Sequence, residues 1–430
     1  MSDTTTPAAA LTTSADADRH FTPEQFALVQ ALCAAPSPIG FEAAMIDGVI
    51  VPELKTFAPE AWQVHRFVGS SGMVVDTKPG DTEALTVMIV GHADNIRLQV
   101  RSIGDDGKIW VNSESFLPTA IIGHRFDLII EDPSASGTYR VLPNLTAQAF
   151  GAIHFAPDEV RKGQRGVEAK QLYLETGLYG PRAKERLEEL GVRPGQPAVF
   201  SRRVERGPTE GTFFGAHLDN ALGCFTVLES ARALAAREAT EGPLANVRLL
   251  FAFASHEEVG LYGSRVAVGV HRPDILVATD VTHDFVAAPD LGDRRMPPVS
   301  LGSGAVITSG TVHSYPVVNL ARRVAADHAL PLQLDLSGSI EGNDSMAAVL
   351  AAVDAASLSL SFPIRNMHTS SELGCDGDVL AAIAIFGAFI DTLAAEGWTR
   401  ERLKAEHIDL KRAERDLTIP SPPPSESDGR

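Results

Sequence analysis

The chain has 430 residues, 44% of them hydrophobic, enough for one large α/β domain and a smaller one. Its 55 acidic side chains against 37 basic ones leave a net charge of −18. That charge repels phosphate backbones and anionic lipid, so neither nucleic acid nor a membrane is an expected partner. Three cysteines, Cys33, Cys224 and Cys375, are too few and too far apart for a disulfide framework or a CxxC metal site.

Residues 1–20 are rich in Thr, Ala and Asp, with no basic segment and no apolar one. They read as a disordered tail rather than a secretory signal, and a cytoplasmic location is the expectation. No stretch approaches the length of a membrane-spanning helix on this reading. From residue 21 the chain alternates short apolar runs with helical patterns, the signature of an α/β domain over 21–103 and 207–412.

The first decisive run is LTVMIV at 85–90, followed at once by His92 and Asp94. Residues 104–206 differ in character: β-like pieces such as IIGHRFDLII and QLYLE surround one helical stretch, PRAKERLEELG. Structureless loops of that length are rare, so an inserted β-rich domain is expected there. The α/β pattern resumes at GTFFGAHLDN, which holds Asp219, and an amphipathic helix follows with Cys224, Val227, Leu228, Ala231 and Leu234 on one face. The run VRLLFAFA at 247–254 leads to Glu257 and Glu258, and ILVA at 275–278 leads to Asp280. Residues 357–364 alternate apolar and small residues and lead to His368, and 413–430 form a second Pro/Ser-rich tail.

The near-continuous runs suit strands buried on both faces of a central sheet. Each delivers a His or a carboxylate at its C-terminal side, the edge where ligand crevices form in open α/β sheets. Peptide hydrolysis needs an activated water, a polarised carbonyl and a proton shuttle. Two metals bridged by a carboxylate supply the first two, and a free carboxylate the third. Imidazole and carboxylate ligands suit zinc, cobalt or manganese. Each residue alone has a plainer reading. Asp219 at a helix start could be an N-cap, Glu257 and Glu258 a solvated loop pair, and His92 a structural strand-end residue. The set of His92, Asp94, Asp219, Glu257, Glu258, Asp280 and His368 is what packing explains poorly.

The motifs GHADNI, HLDNALGC, SHEEVGLYGS, ATDVTHD and RNMHTSSE resemble, in this order, those of the tetrahedral (TET-type) aminopeptidases, a family that includes glutamyl and deblocking aminopeptidases. The resemblance spans about residues 21–412. It implies a mixed central sheet flanked by helices, zinc-exopeptidase-like, with an inserted β-barrel, PDZ-like domain. It also implies that Asp219 bridges two divalent metal ions, zinc first among them. Glu258 and His368 would complete one metal site, and His92 and Asp280 the other. Glu257 would be the general base and Asp94 would act from behind the ligands. Short peptides would be the substrates. Family members assemble as hollow dodecamers, so a homo-oligomer, a dodecamer included, is implied.

Departures from the family pattern fall at Asn95, Arg97, Asn220, Ala221 and Asn343. They bear on substrate preference, and Arg97 would favour an acidic N-terminal residue if it lined the pocket. Rival readings are a catalytically silent metal-binding or assembly protein on this scaffold, and a glycosidase using Glu257 and Glu258. Adjacent carboxylates are poorly placed to face each other across a sugar. A serine or cysteine hydrolase lacks its G-x-S-x-G elbow. His217, His256 and His283 receive no role, and Glu372 is read as lying behind the ligands or in solvent.

Overall fold

The computed structural model describes residues 20–69, 72–113, 115–132, 138–288, 297–310, 312–338 and 341–409. The two expected tails fall outside these residues, apart from His20.

The apolar run at 85–90 forms the strand Leu85–His92, buried along its whole length. Its side chains alternate between two cores, Val87 and Ile89 on one face, Met88 and Val90 on the other. A strand with no solvent face belongs at the centre of a sheet covered on both sides. The sheet runs in the order Gln63–Arg66, Met73–Asp76, Val247–Ala254, Leu85–His92, Ile275–Ala278, Ala356–Ile364, Ala305–Gly310 and Leu332–Ser337, and the short strand Val281–His283 also pairs with Ala356–Ile364.

Four adjacent strands are mutually parallel: Val247–Ala254, Leu85–His92, Ile275–Ala278 and Ala356–Ile364. Antiparallel partners flank them, Met73–Asp76 on one side and Ala305–Gly310 on the other, so the sheet is mixed. Parallel neighbours all end on one side. The segments that follow them, carrying Glu257, His92, Asp280 and His368, therefore start from one edge.

Helices cover both faces. Pro23–Ala34 starts where Thr22 and Gln25 cap each other reciprocally and Pro23 takes the first turn. It packs against Leu218–Glu241, and with Tyr315–Asp327 and Asp376–Ala395 these helices share the main core on one face. Tyr262–His271 and Ala347–Leu350 cover the other. In Leu218–Glu241 the expected stripe of Cys224, Val227, Leu228, Ala231 and Leu234 is buried.

The helix Asp376–Ala395 corrects one expectation: at 20 residues and mean hydropathy 1.9, it is long and apolar enough to cross a membrane. Its apolar character has another use here. Val379, Ala382, Ile385, Phe386, Phe389 and Leu393 all lie in the main core. A helix buried on most sides needs no polar face.

A closed six-stranded barrel joins Leu98–Ile103, Ile109–Ser113, Tyr173–Glu175, Tyr139–Gln148, Arg125–Glu131 and Pro197–Phe200. Closure removes every free edge. The barrel has its own core, in which Phe126 meets Phe200 at 4.7 Å and Phe116 at 5.8 Å between ring centroids. It touches the segment carrying His368 at two points. Ser370 Oγ lies 2.6 Å from His124 Nδ1, and Arg202 donates to Ser371 Oγ at 2.5 Å.

Candidate metal centre

Asp219 offers one carboxylate oxygen to each of two imidazoles. Its Oδ1 lies 3.2 Å from His92 Nε2, and its Oδ2 lies 3.2 Å from His368 Nε2. On the His92 side, Asp280 Oδ1 and Glu257 Oε2 each stand 3.7 Å from the same Nε2. On the His368 side, Glu258 Oε2 stands 3.7 Å from His368 Nε2. His92, Asp219 and Glu258 present donor atoms that all lie within 4.8 Å of one another. All six residues line one cavity of about 400 Å³.

The helix-cap role that Asp219 could have had belongs to its neighbour. Asn220 Oδ1 accepts the Gly223 amide at 2.8 Å, while its Nδ2 donates to the Thr279 carbonyl at 3.0 Å. Asp219 is thereby free to face the imidazoles. Asn95 Nδ2 donates to the Asp219 carbonyl at 3.3 Å.

Two buried carboxylates stand behind the cluster and hold its backbone. Asp94 accepts the Glu257 amide at 3.0 Å through Oδ1 and the Glu258 amide at 3.1 Å through Oδ2. Glu372 accepts the Leu218 amide at 2.7 Å through Oε2 and the His368 amide at 2.8 Å through Oε1. The sequence reading did not assign this hold to Glu372. Its bonds run to main-chain N–H groups, which leave no trace in side-chain identity. The only signal was its place four residues after His368.

His92 Nδ1 lies 3.1 Å from the Asp94 carbonyl, which can only accept, so Nδ1 carries a proton and Nε2 faces Asp219. Cys224 backs this residue, its Sγ 3.1 Å from the His92 carbonyl.

Burial lifts Glu257, Glu258 and Asp280 well above the usual carboxylate range; His92 pulls each of them back, and neighbouring carboxylates add to the rise. Asp219 goes the other way: burial would raise it, but hydrogen bonds to His368 and His92 outweigh that and hold it low. For His92, burial opposes the charged form, but Asp280, Glu257 and Asp219 outweigh it and raise the imidazole well above its ordinary value. The disagreement among neighbours has one cause. Four carboxylates converge on two imidazoles, and among the described residues no lysine or arginine lines the cavity.

Such a set is costly unless cations enter it. Glu258 Oε1 is buried without a hydrogen-bond partner. The charge of two divalent cations equals that of the four carboxylates, and imidazole with carboxylate is a donor set that zinc, cobalt or manganese accepts. The residues present fit divalent metal.

The remaining residues singled out in the sequence are spread around this centre. His283 lines the cavity. His217 Nε2 donates to the Phe200 carbonyl at 3.2 Å, and burial brings its pKa down to about 4. His256 Nδ1 lies 3.3 Å from Glu42 Oε1. Arg97 does not line the cavity; it donates to the Ile39 carbonyl at 2.8 Å, so the expected means of favouring an acidic residue is absent there.

A mixed α/β sheet with an inserted closed barrel, carrying imidazoles and carboxylates at the ends of its parallel strands, defines a metallohydrolase. The family model for M42 glutamyl aminopeptidase matches residues 72–385, well over half of the chain, and the chain belongs to that family. It is a metal-dependent aminopeptidase. It is 27% identical over 373 residues to the lysyl aminopeptidase of Pyrococcus furiosus, covering 86% of this chain and 98% of that protein. Its fold matches a TET aminopeptidase from a marine sediment thaumarchaeote with a TM-score of 0.75 at 22% identity, over 89% of this chain and 100% of that one. It also matches the TET1 peptidase of Pyrococcus horikoshii, described as assembling into a tetrahedron or a large octahedral shell, with a TM-score of 0.66 at 19% identity over 85% and 98% of the two chains.

Proposed function

We propose that the enzyme removes N-terminal residues from short peptides at a centre of two divalent metal ions. Asp219 would bridge them, His92 and Asp280 would complete one site, and Glu258 and His368 the other. The observation that carries this reading is the single carboxylate of Asp219 set 3.2 Å from an imidazole on either side. Bound there, the ions would polarise the scissile carbonyl and acidify the attacking water.

Glu257 is the general base in this reading. Its carboxylate lies in the cavity beside His92. Burial gives it a proton affinity above that of an ordinary carboxylate, which suits a group that takes a proton from water and returns it to the leaving amine. Asp94 fixes the backbone of Glu257 and Glu258 and the tautomer of His92. Glu372 fixes the backbone of Asp219 and His368. Zinc is the first choice of metal, with cobalt and manganese as alternatives.

We read residues 21–103 and 207–412 as the catalytic unit and 104–206 as the insert, with the barrel's first strand, Leu98–Ile103, on the near side of that boundary. The assemblies described for the Pyrococcus horikoshii enzyme support a homo-oligomer, with a dodecamer the form to look for, and a cytoplasmic location goes with this reading. The names of the relatives point to substrates of opposite charge, glutamyl and lysyl.

Elemental analysis of the purified protein tests the centre, paired with an aminopeptidase assay before and after chelation. Close to two metals per chain, with activity lost on chelation and regained on reloading, is the expected result. One metal per chain in a fully active enzyme sinks the two-metal reading.

A further inference from the structure

The cavity of the centre continues past its six residues along Thr308, Asp335, Ser337, Glu341 and Asn343. Two further carboxylates therefore face the space beyond the centre. Asp335 is only 9% exposed, and the Glu341 side chain is likewise 9% exposed. Asp335 Oδ1 accepts the amide of its own neighbour Leu336 at 2.7 Å. Glu341 Oε1 has the Asn343 amide nitrogen 3.5 Å away, and its Oε2 is buried without a hydrogen-bond partner.

Among the described residues these carboxylates have no lysine or arginine beside them in the cavity. His313 Nε2 stands 3.5 Å from Glu341 Oε2, and burial brings that imidazole down to about 4, which disfavours its charged form. Burial also lowers His283 from its ordinary value and raises both Asp335 and Glu341. A buried carboxylate with a free oxygen and no counter-charge is poorly satisfied by the protein alone.

We propose that this arm of the cavity receives the side chain of the substrate's N-terminal residue and selects a basic one, lysine or arginine, through Glu341 and Asp335. The assignment rests on the aminopeptidase reading of the adjoining centre. An incoming ammonium or guanidinium supplies a counter-charge and donors, whereas an acidic side chain would add a third carboxylate to two whose partners are neutral groups such as Thr282, Ser337 and Thr308. An aliphatic side chain meets no repulsion but leaves the carboxylates unanswered.

The test uses the full-length, metal-loaded enzyme with the p-nitroanilides of lysine, arginine, leucine and glutamate. For the unaltered enzyme, kcat/KM for lysine should exceed that for leucine about tenfold and that for glutamate about a hundredfold. Glu341→Gln should shrink the lysine-to-leucine ratio to near one, and Asp335→Asn provides a second variant should the first fold poorly. Leucine or glutamate turned over as well as lysine overturns the pocket assignment and leaves the peptidase standing. Calorimetric titration of the metal-loaded protein with free L-lysine and L-leucine separates the remaining outcomes. Tighter binding of lysine without turnover of any substrate supports the pocket and sinks the peptidase reading. Equal binding without turnover overturns both.

Discussion

Glu372 reaches back four residues and accepts the backbone amide of His368 at 2.8 Å. His368 sits at a positive φ of 63°, a conformation non-glycine residues adopt only when their surroundings impose it. The other Glu372 oxygen takes the Leu218 amide beside Asp219, so one carboxylate sets the backbone on both sides of the Asp219–His368 pair. Replacing Glu372 with alanine should weaken metal affinity about 10- to 100-fold, the usual effect of losing a group that orients a ligand. Competition with a metal-binding dye reads this out, and circular dichroism checks that the fold survives. Unchanged affinity in a folded Glu372→Ala protein would refute the positioning role.

Glu257→Gln keeps the shape of the side chain and removes its basicity. The backbone amide of residue 257 would still reach Asp94 Oδ1 at 3.0 Å, so the segment should stay in place. Turnover should fall by about 10² to 10⁴, the range for loss of a general base, with metal content unchanged. A variant that keeps full kcat takes Glu257 out of the proton shuttle. One that loses metal along with activity makes it a ligand.

The parts of this architecture that were legible in the sequence share one physical property. A strand buried on both faces must be apolar at every position, so LTVMIV and VRLLFAFA stand out, and the first polar residues after them mark the sheet edge. His92, Glu257, Glu258 and Asp280 were found that way, and the structure brings them together with Asp219 and His368. The order of strands was not legible, because parallel neighbours come from distant segments such as 85–92 and 247–254. Asp219 could not be told from a helix cap until Asn220 was seen to cap instead. Glu372 acts on main-chain amides, and Glu341 stands out only because no lysine or arginine lines the cavity among the described residues. Neither leaves a local pattern. The helix Asp376–Ala395 was overlooked as a long apolar stretch, and its apolar length goes with burial among other helices.

Asn220 is buried and uses both ends of its amide, accepting from Gly223 and donating to the Thr279 carbonyl at 3.0 Å. A carboxylate has no proton to give that carbonyl. Asn220→Asp should therefore set two acceptors against each other beside an already acidic centre. The expected loss of stability in the metal-free protein is about 1–3 kcal/mol, the cost of leaving a buried acceptor unsatisfied. Denaturant midpoints with chelator present measure it. A midpoint equal to that of the parent would mean the Thr279 bond contributes nothing net.

Asp378 makes a prediction about pH away from the centre. It is 1% exposed and accepts the amides of Gly302 at 2.7 Å and Gly304 at 2.6 Å. Burial outweighs those bonds and pushes its carboxyl up to about 7, from an ordinary value of 3.8. A carboxyl whose folded pKa is raised binds more protons folded than unfolded, so its contribution to stability falls as pH rises between the two values. The loss runs from about pH 4 to pH 7 and then levels off, and its size is on the order of 4 kcal/mol at most. Asp378→Asn removes the titration whatever it does to absolute stability. The parent's melting temperature minus the variant's should therefore fall as pH rises from about 4.5 to about 8. Parallel curves would show that Asp378 stays ionised in the folded protein throughout this range, its charge held by the two glycine amides.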